Sequence, residues 1–187
     1  GANGLEFHDE QSLYKGGFTL QEGLINLKFD NGAIVTIQGP ARLRMIDGDR
    51  LALDSGKLFA RCDTGRFVVE TPRGIVTDLG TAFGVAFNAG RLEAHTFEGR
   101  VEVRRTDLPG QAAVVLHAGG ALGIDDNGAR AMQADVLRFV GEDEYAVRQQ
   151  AEDGDADARW AARAYDLRRH PGLILYLSPD LALTAGS

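Results

Sequence analysis

Hydrophobic and polar positions alternate with a period of two through most of the first two thirds of the chain. Ile25, Leu27 and Phe29 share one face of an extended segment, with Asn26 and Lys28 on the other. Asp30-Asn31-Gly32 follows, and Asn and Gly tolerate the positive φ of a type I′ hairpin turn. Ala33 to Ile37 reads as the next strand, with Val35 and Ile37 inward, and Gly39-Pro40 is expected to break it. Leu43 with Met45, Leu51 with Leu53, Leu58 with Ala60, and Phe67 with Val69 continue the two-residue spacing. So do Phe83, Val85 and Phe87, and Val101 with Val103. The last strands fall around Val114 to Leu116 and Leu122 to Ile124, set off by Gly119-Gly120 and Asp125-Asp126-Asn127-Gly128.

Such close spacing leaves no room for helical crossovers, which need about a dozen residues each. The prediction is a mainly β protein whose many short strands form either a β-solenoid-like or a sandwich unit. Uniform short strands separated by glycine suit stacked coils, while Asn31-Gly32 favours at least one antiparallel hairpin.

Past Gly128 the pattern changes. Val136, Leu137 and Val140 recur at helical spacing, and Trp160, Ala164 and Leu167 lie at i, i+4 and i+7 of a second candidate helix. Acid at Asp155 and Asp157 and base at Arg168, Arg169 and His170 complement a helix dipole, and Pro171-Gly172 ends it. Leu173 to Leu177 reads as a strand or docking segment able to pair edge to edge in a homodimer. The expected divisions are therefore a leader or first edge segment at 1–17, an all-β domain at 18–128, a helical appendage at 129–172, and a terminal strand or connector at 173–187.

Composition narrows the function classes. Glycine takes 24 of 187 positions, well above the usual share of about 7%, and it falls between apolar stretches as turn glycine does. A formal net charge of -7 argues against a chain-wide nucleic-acid surface. No apolar run approaches the roughly 18 residues of a membrane span, and no signal-peptide pattern is present. Cys62 is the single cysteine, so no intrachain disulfide forms. Alternation places it among the core positions.

Candidate chemistry is sparse. Asp63-Thr64-Gly65 has the letters of an aspartic-protease loop, but that chemistry needs two carboxylates sharing a proton, and Asp78-Leu79-Gly80-Thr81 is a poor second copy. His8, His95, His117 and His170 form no short metal-ligand pair. Asp125-Asp126-Asn127-Gly128 lacks the spacing and terminal Glu of a calcium loop. No nucleophile elbow, phosphate loop or dinucleotide fingerprint occurs. No catalytic residue, cofactor or metal is assigned. An exposed aromatic row would mark a carbohydrate-binding module, yet Phe67, Phe83, Phe87 and Phe97 read as core.

Thr71 to Val85 is the densest motif. Pro72 and Gly74 make a rigid turn into Ile75-Val76. Asp78 accepts donors in a turn that Gly80 permits, Thr81 adds a hydroxyl, and Phe83 enters the core. Glu98-Gly99 makes a second tight turn into Arg100 to Val103. The runs Thr71-Pro72-Arg73-Gly74, Asp78-Leu79-Gly80-Thr81-Ala82-Phe83-Gly84-Val85 and Glu98-Gly99-Arg100-Val101-Glu102-Val103 together resemble the FecR-type domain. Phe29-Asp30-Asn31-Gly32-Ala33 and Gly39-Pro40-Ala41 extend the resemblance, which covers roughly Phe18 to Ile124.

That resemblance implies a domain outside the cytoplasmic membrane, periplasmic or at the cell surface, in a membrane-anchored protein. The best-known members of the family regulate an extracytoplasmic-function sigma factor. The resemblance implies a non-enzymatic signalling or protein-interaction module, a partner in the cell envelope, and a membrane link only through an anchor outside this chain. The region from Arg159-Trp160 through Arg168-Arg169 to Leu175-Tyr176 is similar to a connector of larger surface proteins, where a laminin-G-like domain follows. Arg159, Trp160, Arg163, Arg168, Arg169, Leu175 and Tyr176 are thus the candidate interaction residues. A carbohydrate-binding or cell-surface scaffold is the alternative, with a hydrolase behind it.

Overall fold

The computed structural model describes residues 17–162 apart from positions 64, 109, 153 and 156. Among the described residues twelve strands form one sheet. They are β1 (Phe18–Leu20), β2 (Leu24–Lys28), β3 (Ile34–Asp47), β4 (Arg50–Cys62), β5 (Val68–Thr71), β6 (Gly74–Asp78), β7 (Thr81–Asn88), β8 (Arg91–Glu98), β9 (Arg100–Arg105), β10 (Val114–His117), β11 (Gly120–Asp125) and β12 (Gly128–Gln133).

The long hairpin of β3 and β4 is the spine. The first half of β4 pairs with β5, which continues through β6 and β9 to β10. Its second half pairs with β7, which continues through β8 and β11 to β12. On the far edge of β3, β2 covers one half and β1 the other. All pairings are antiparallel except that of β4 with β5. Inward residues of both arms, such as Phe83, Val85 and Leu92 on one and Leu43, Val76 and Val101 on the other, share a single core. One continuous sheet has therefore curled over so that two facing layers enclose this core.

Gly39-Pro40 does not end a strand, contrary to expectation. It forms a cis peptide inside β3, where the register to β4 shifts between Gln38 and Arg42. A bulge at this corner accommodates the missing donor and lets the strand change layer. Gly56 faces it across the spine at a φ of 109°, and a Cβ there would come within 2.5 Å of the Ala41 Cβ. The two long strands turn the corner together because residue 56 has no side chain.

The Asn31-Gly32 hairpin forms between β2 and β3, with Gly32 at a φ of 83° and Asn31 Oδ1 accepting the Ala33 N–H at 3.0 Å. The end of the β region needs a correction. Asp125 to Gly128 closes a hairpin, so Ala129 to Gln133 belong to β12 and not to a helical appendage. Val136, Leu137 and Val140 do not form a helical stripe either. Val136–Arg138 is a single 3-10 turn with Val136 and Leu137 exposed, and burial falls on Phe139 and Val140.

The chain divides after Tyr145 into two compact units. Helix α1 (Glu142–Glu152) has Glu142, Asp143 and Glu144 in its first turn, where acid suits the dipole. In the second unit residues 157–162 are helical, with Ala158 buried and Trp160 exposed. The leader at 1–16, the stripe residues Ala164 and Leu167, and the Leu173 to Leu177 segment lie outside the described residues.

Candidate functional site

The strand register sorts the motif residues to opposite ends of the curled sheet. Thr71 to Gly74 turns β5 into β6 at one end, and Asp78 to Thr81 carries the chain from one layer to the other at the opposite end. Glu98-Gly99 makes the reverse crossing, from β8 to β9, beside it.

At the first end, the Thr71 hydroxyl donates to the Gly74 carbonyl at 2.8 Å and accepts the Gly74 N–H at 3.1 Å. A Cβ on Gly74 would lie 2.9 Å from Leu92 Cδ2 in the facing layer. Arg73 extends from this turn to donate to the Gly90 carbonyl and to Asp126, which sit in the β7–β8 and β11–β12 turns. One guanidinium thus ties one layer to two turns of the other.

At the second end Asp78 is fully buried, its N–H donating to the Phe67 carbonyl at 2.8 Å and its Oδ1 accepting from the Thr81 hydroxyl. Its Oδ2 is buried without a hydrogen-bond partner. Burial raises its pKa to about 6, against the opposing pull of the Thr81 hydroxyl and the Gly80 and Leu79 amides. Gly99, at a φ of 66°, sits so close that a Cβ would be 2.6 Å from both the Gly80 carbonyl oxygen and Thr81 Cγ2. Leu79 N–H donates to the Arg100 carbonyl, tying the two crossings together. Glu98 receives both nitrogens of Arg61 at 3.0 Å on the surface. Phe83 is wholly inside, and Pro72 offers its carbonyl to the Thr106 hydroxyl at 2.9 Å.

A third cluster lies on the outer face of the β4–β7–β8 layer. Phe59, Gly84, His95 and Ala121 are cross-strand neighbours in one row. The 134–140 segment crosses this face, and the Phe139 ring fills the notch above Gly84, where a Cβ would approach it to 2.8 Å. Phe59 and Phe97 stack at 5.7 Å beside it. His95 Nδ1 accepts the Asp135 N–H at 3.1 Å, and its Nε2 lies 3.6 Å from Glu93. Glu93 is also paired with Arg91, at 2.9 Å, and with Arg138. Burial holds the His95 pKa below the ordinary value. The sequence put His95 beside Phe97 on a strand face, but its contact with Asp135, forty residues away, left no local signal.

No aromatic row is open to solvent on this face, because the 134–140 segment covers Phe59 and Phe139 is itself buried. The outer face of the other layer carries a shallow groove lined by Arg50, Arg66, Glu70, Thr77, Glu102 and Arg104, with Leu79 exposed at its end. Arg50 pairs with Glu70 and Arg104 with Glu102, so its charges alternate in sign.

Asp63 is exposed, 3.8 Å from Arg61, whereas Asp78 is interior, so the two share no proton. Cys62 is buried in the main core. Among the described residues no group of His, Cys, Asp and Glu is arranged to hold a metal ion. Of the candidate interaction residues, Arg159 and Trp160 are exposed in the second unit. Arg163, Arg168, Arg169, Leu175, Tyr176, His8 and His170 lie outside the described residues.

Comparison with known proteins finds the architecture in solved structures and a family match over part of the chain. Two crystal structures of a candidate anti-sigma factor from Parabacteroides distasonis, at 1.65 and 2.50 Å, each align with a TM-score of 0.54 and 16% identity. Each alignment covers 65% of this chain and 61% of that one, so the likeness spans about three fifths of the other protein and concerns the fold. No curated protein matches the chain. The family model described as FecR protein matches residues 18–102, from β1 into β9, and so includes the Thr71 turn, both layer crossings and Gly99. Residues 18–102 thus form the FecR-like part of the chain.

Proposed function

We propose that this chain is the extracytoplasmic signalling part of a membrane-anchored envelope regulator, acting by binding protein rather than by transforming a substrate. The FecR match over residues 18–102 carries the reading. The fold shared with a candidate anti-sigma factor supports it at the level of architecture.

The motif residues add a physical argument. Gly74, Asp78, Gly80, Thr81 and Gly99 are engaged in close approaches and buried turns, which hold the layers together. Recognition then belongs to the surfaces those turns support, chiefly the charged groove of the β4–β5–β6–β9 layer. A net charge of -7 and sign-alternating arginine and glutamate pairs suit a protein partner better than nucleic acid. Among the described residues no helix is long and apolar enough to cross a membrane, so the anchor in this proposal comes from outside these residues. Residues 173–187 serve in it as the connector to a neighbouring domain of laminin-G type.

The test is transcriptional. In the native cell, the full-length protein is compared with a version in which the groove residues Thr77 and Arg104 are both replaced by Glu. Loss of induction of a discrete regulon, with the protein still present at the envelope, supports regulation. Unchanged transcription in both that variant and a strain deleted for the whole protein contradicts it.

A further inference from the structure

The segment 134–140 leaves the last strand and lies back across the outer face of the sheet as a strap. It has two anchors. One is apolar, the Phe139 ring in the Gly84 notch. The other is polar, the Asp135 N–H donating to His95 Nδ1 at 3.1 Å, with His95 only 1% exposed. We propose that this strap is a proton-operated latch, docked while the His95 ring is neutral and released when it takes up a proton.

The geometry dictates the direction. A ring whose Nδ1 accepts a hydrogen bond carries its one proton on Nε2, which faces Glu93 at 3.6 Å. A second proton can go only to Nδ1, the atom that holds the strap. Acceptor then becomes donor, opposite another donor. Glu93 is the group placed to favour the charged ring, but Arg91 and Arg138 already engage it. Arg138 opposes a charged ring and Asp135 favours it. Lys57 Nζ donates to the Arg138 carbonyl at 3.0 Å, and Glu142, Asp143 and the buried Glu144 stand in the first turn of α1, which follows the strap in sequence. β7 and β11 contribute only Gly84 and Ala121 to the His95 row. Burial outweighs the attraction of Glu93, leaving the ring harder to protonate when covered than when free.

The sign follows from linkage. A histidine whose pKa is depressed in the docked state takes up protons on release, so docking is strongest above the ordinary value of about 6.5 and weakens as pH falls below it. Reciprocally, anything that frees the strap raises the His95 pKa toward that value.

Hydrogen exchange on the whole 187-residue chain tests this. Protection factors, corrected for intrinsic exchange, are compared at pH 7.5 and 5.0 for the 135–141 amides and for β7. The expected result is at least a tenfold loss of protection at Asp135 and Phe139 at pH 5.0, with β7 unchanged. His95→Asn, which keeps an acceptor near the Nδ1 position but does not titrate, is expected to lose that step. NMR titration of the wild-type imidazole provides a readout that needs no variant, and its pKa should lie below 6.5 and rise in Phe139→Ala. Equal strap protection at both pH values, or a wild-type His95 that titrates at or above 6.5, overturns the proposal.

Discussion

The backbone of Gly99 lies against that of Gly80, so that a Cβ on residue 99 would stand 2.6 Å from the Gly80 carbonyl oxygen. The two glycines belong to the two successive crossings between layers, one leaving β6 and the other leaving β8. The β8–β9 crossing can lie this close to the β6–β7 crossing because residue 99 carries no side chain, whereas a Cβ on Gly80 would meet open space.

Gly99→Ala should therefore be costly on two counts. The left-handed φ of 66° costs roughly 1–2 kcal/mol and the backbone clash about 1–3 kcal/mol more. Gly119→Ala is the control, since Gly119 has a φ of 85° but open space around it and should lose only the first of these. Urea denaturation of both variants checks the difference. Equal losses would mean that the packing of the two crossings contributes nothing.

Asp78 should make the domain more stable in mild acid. Its carboxyl is raised to about 6 in the fold, so the cost of burying its charge is complete above pH 6. That cost is relieved as pH falls toward the unfolded value of about 3.9. Relative to Asp78→Asn, the wild type should gain on the order of 2 kcal/mol between pH 7 and pH 4.5. Parallel stability curves for the two proteins would contradict this account. His95 acts in the opposite sense below about pH 6.5, so the single variants are needed to separate the two groups.

Arg73 and Asp126 should be coupled, but weakly. Asp126 is exposed, and an exposed pair is worth about 0.2–1 kcal/mol in a double-mutant cycle. Arg73→Ala alone should cost more, since it also removes the bond to the Gly90 carbonyl. Thermal unfolding of the two single variants and the double variant measures both quantities. A larger loss from Asp126→Ala than from Arg73→Ala would contradict the assignment.

Phe139→Ala should cost about 3 kcal/mol or more, as a buried aromatic does. Phe139→Leu should recover part of it. Gly84→Val should resemble Phe139→Ala, because the added side chain occupies the ring's place. The comparison is made in urea at pH 7.5, where the strap is docked. A Gly84→Val variant as stable as wild type would show that the notch is not filled as described.

These residues also show how far the sequence is legible. Alternation finds Phe83, Val85 and Phe87 because a strand with one face in a core repeats every two residues, and all three are buried. Asn31-Gly32 reports its hairpin because the required φ is a property of those two residues alone. Gly39-Pro40 misleads for the same local reason, since proline opposes a ladder except at a bulge, and the bulge depends on Gly56 across the spine. The Val136-Leu137 pair is misread as a helical stripe because Phe139 takes the burial those residues were expected to have. The Thr71 to Val85 motif is visible as letters, but the reason for Gly99 lies in Gly80 and Thr81, which only the folded chain brings next to it.

The central claim is that the FecR-like residues 18–102, held by these turns, present a surface to an envelope signalling partner. Its most direct test is site-specific photocrosslinking in intact native cells, with the probe at exposed Leu79 of the full-length protein. The account predicts capture of an outer-membrane transporter together with an inner-membrane signalling protein, and loss of that capture when Thr77 and Arg104 are replaced by Glu. Capture of envelope polymer or unrelated surface proteins, with no transporter, would contradict it and make the chain a scaffold.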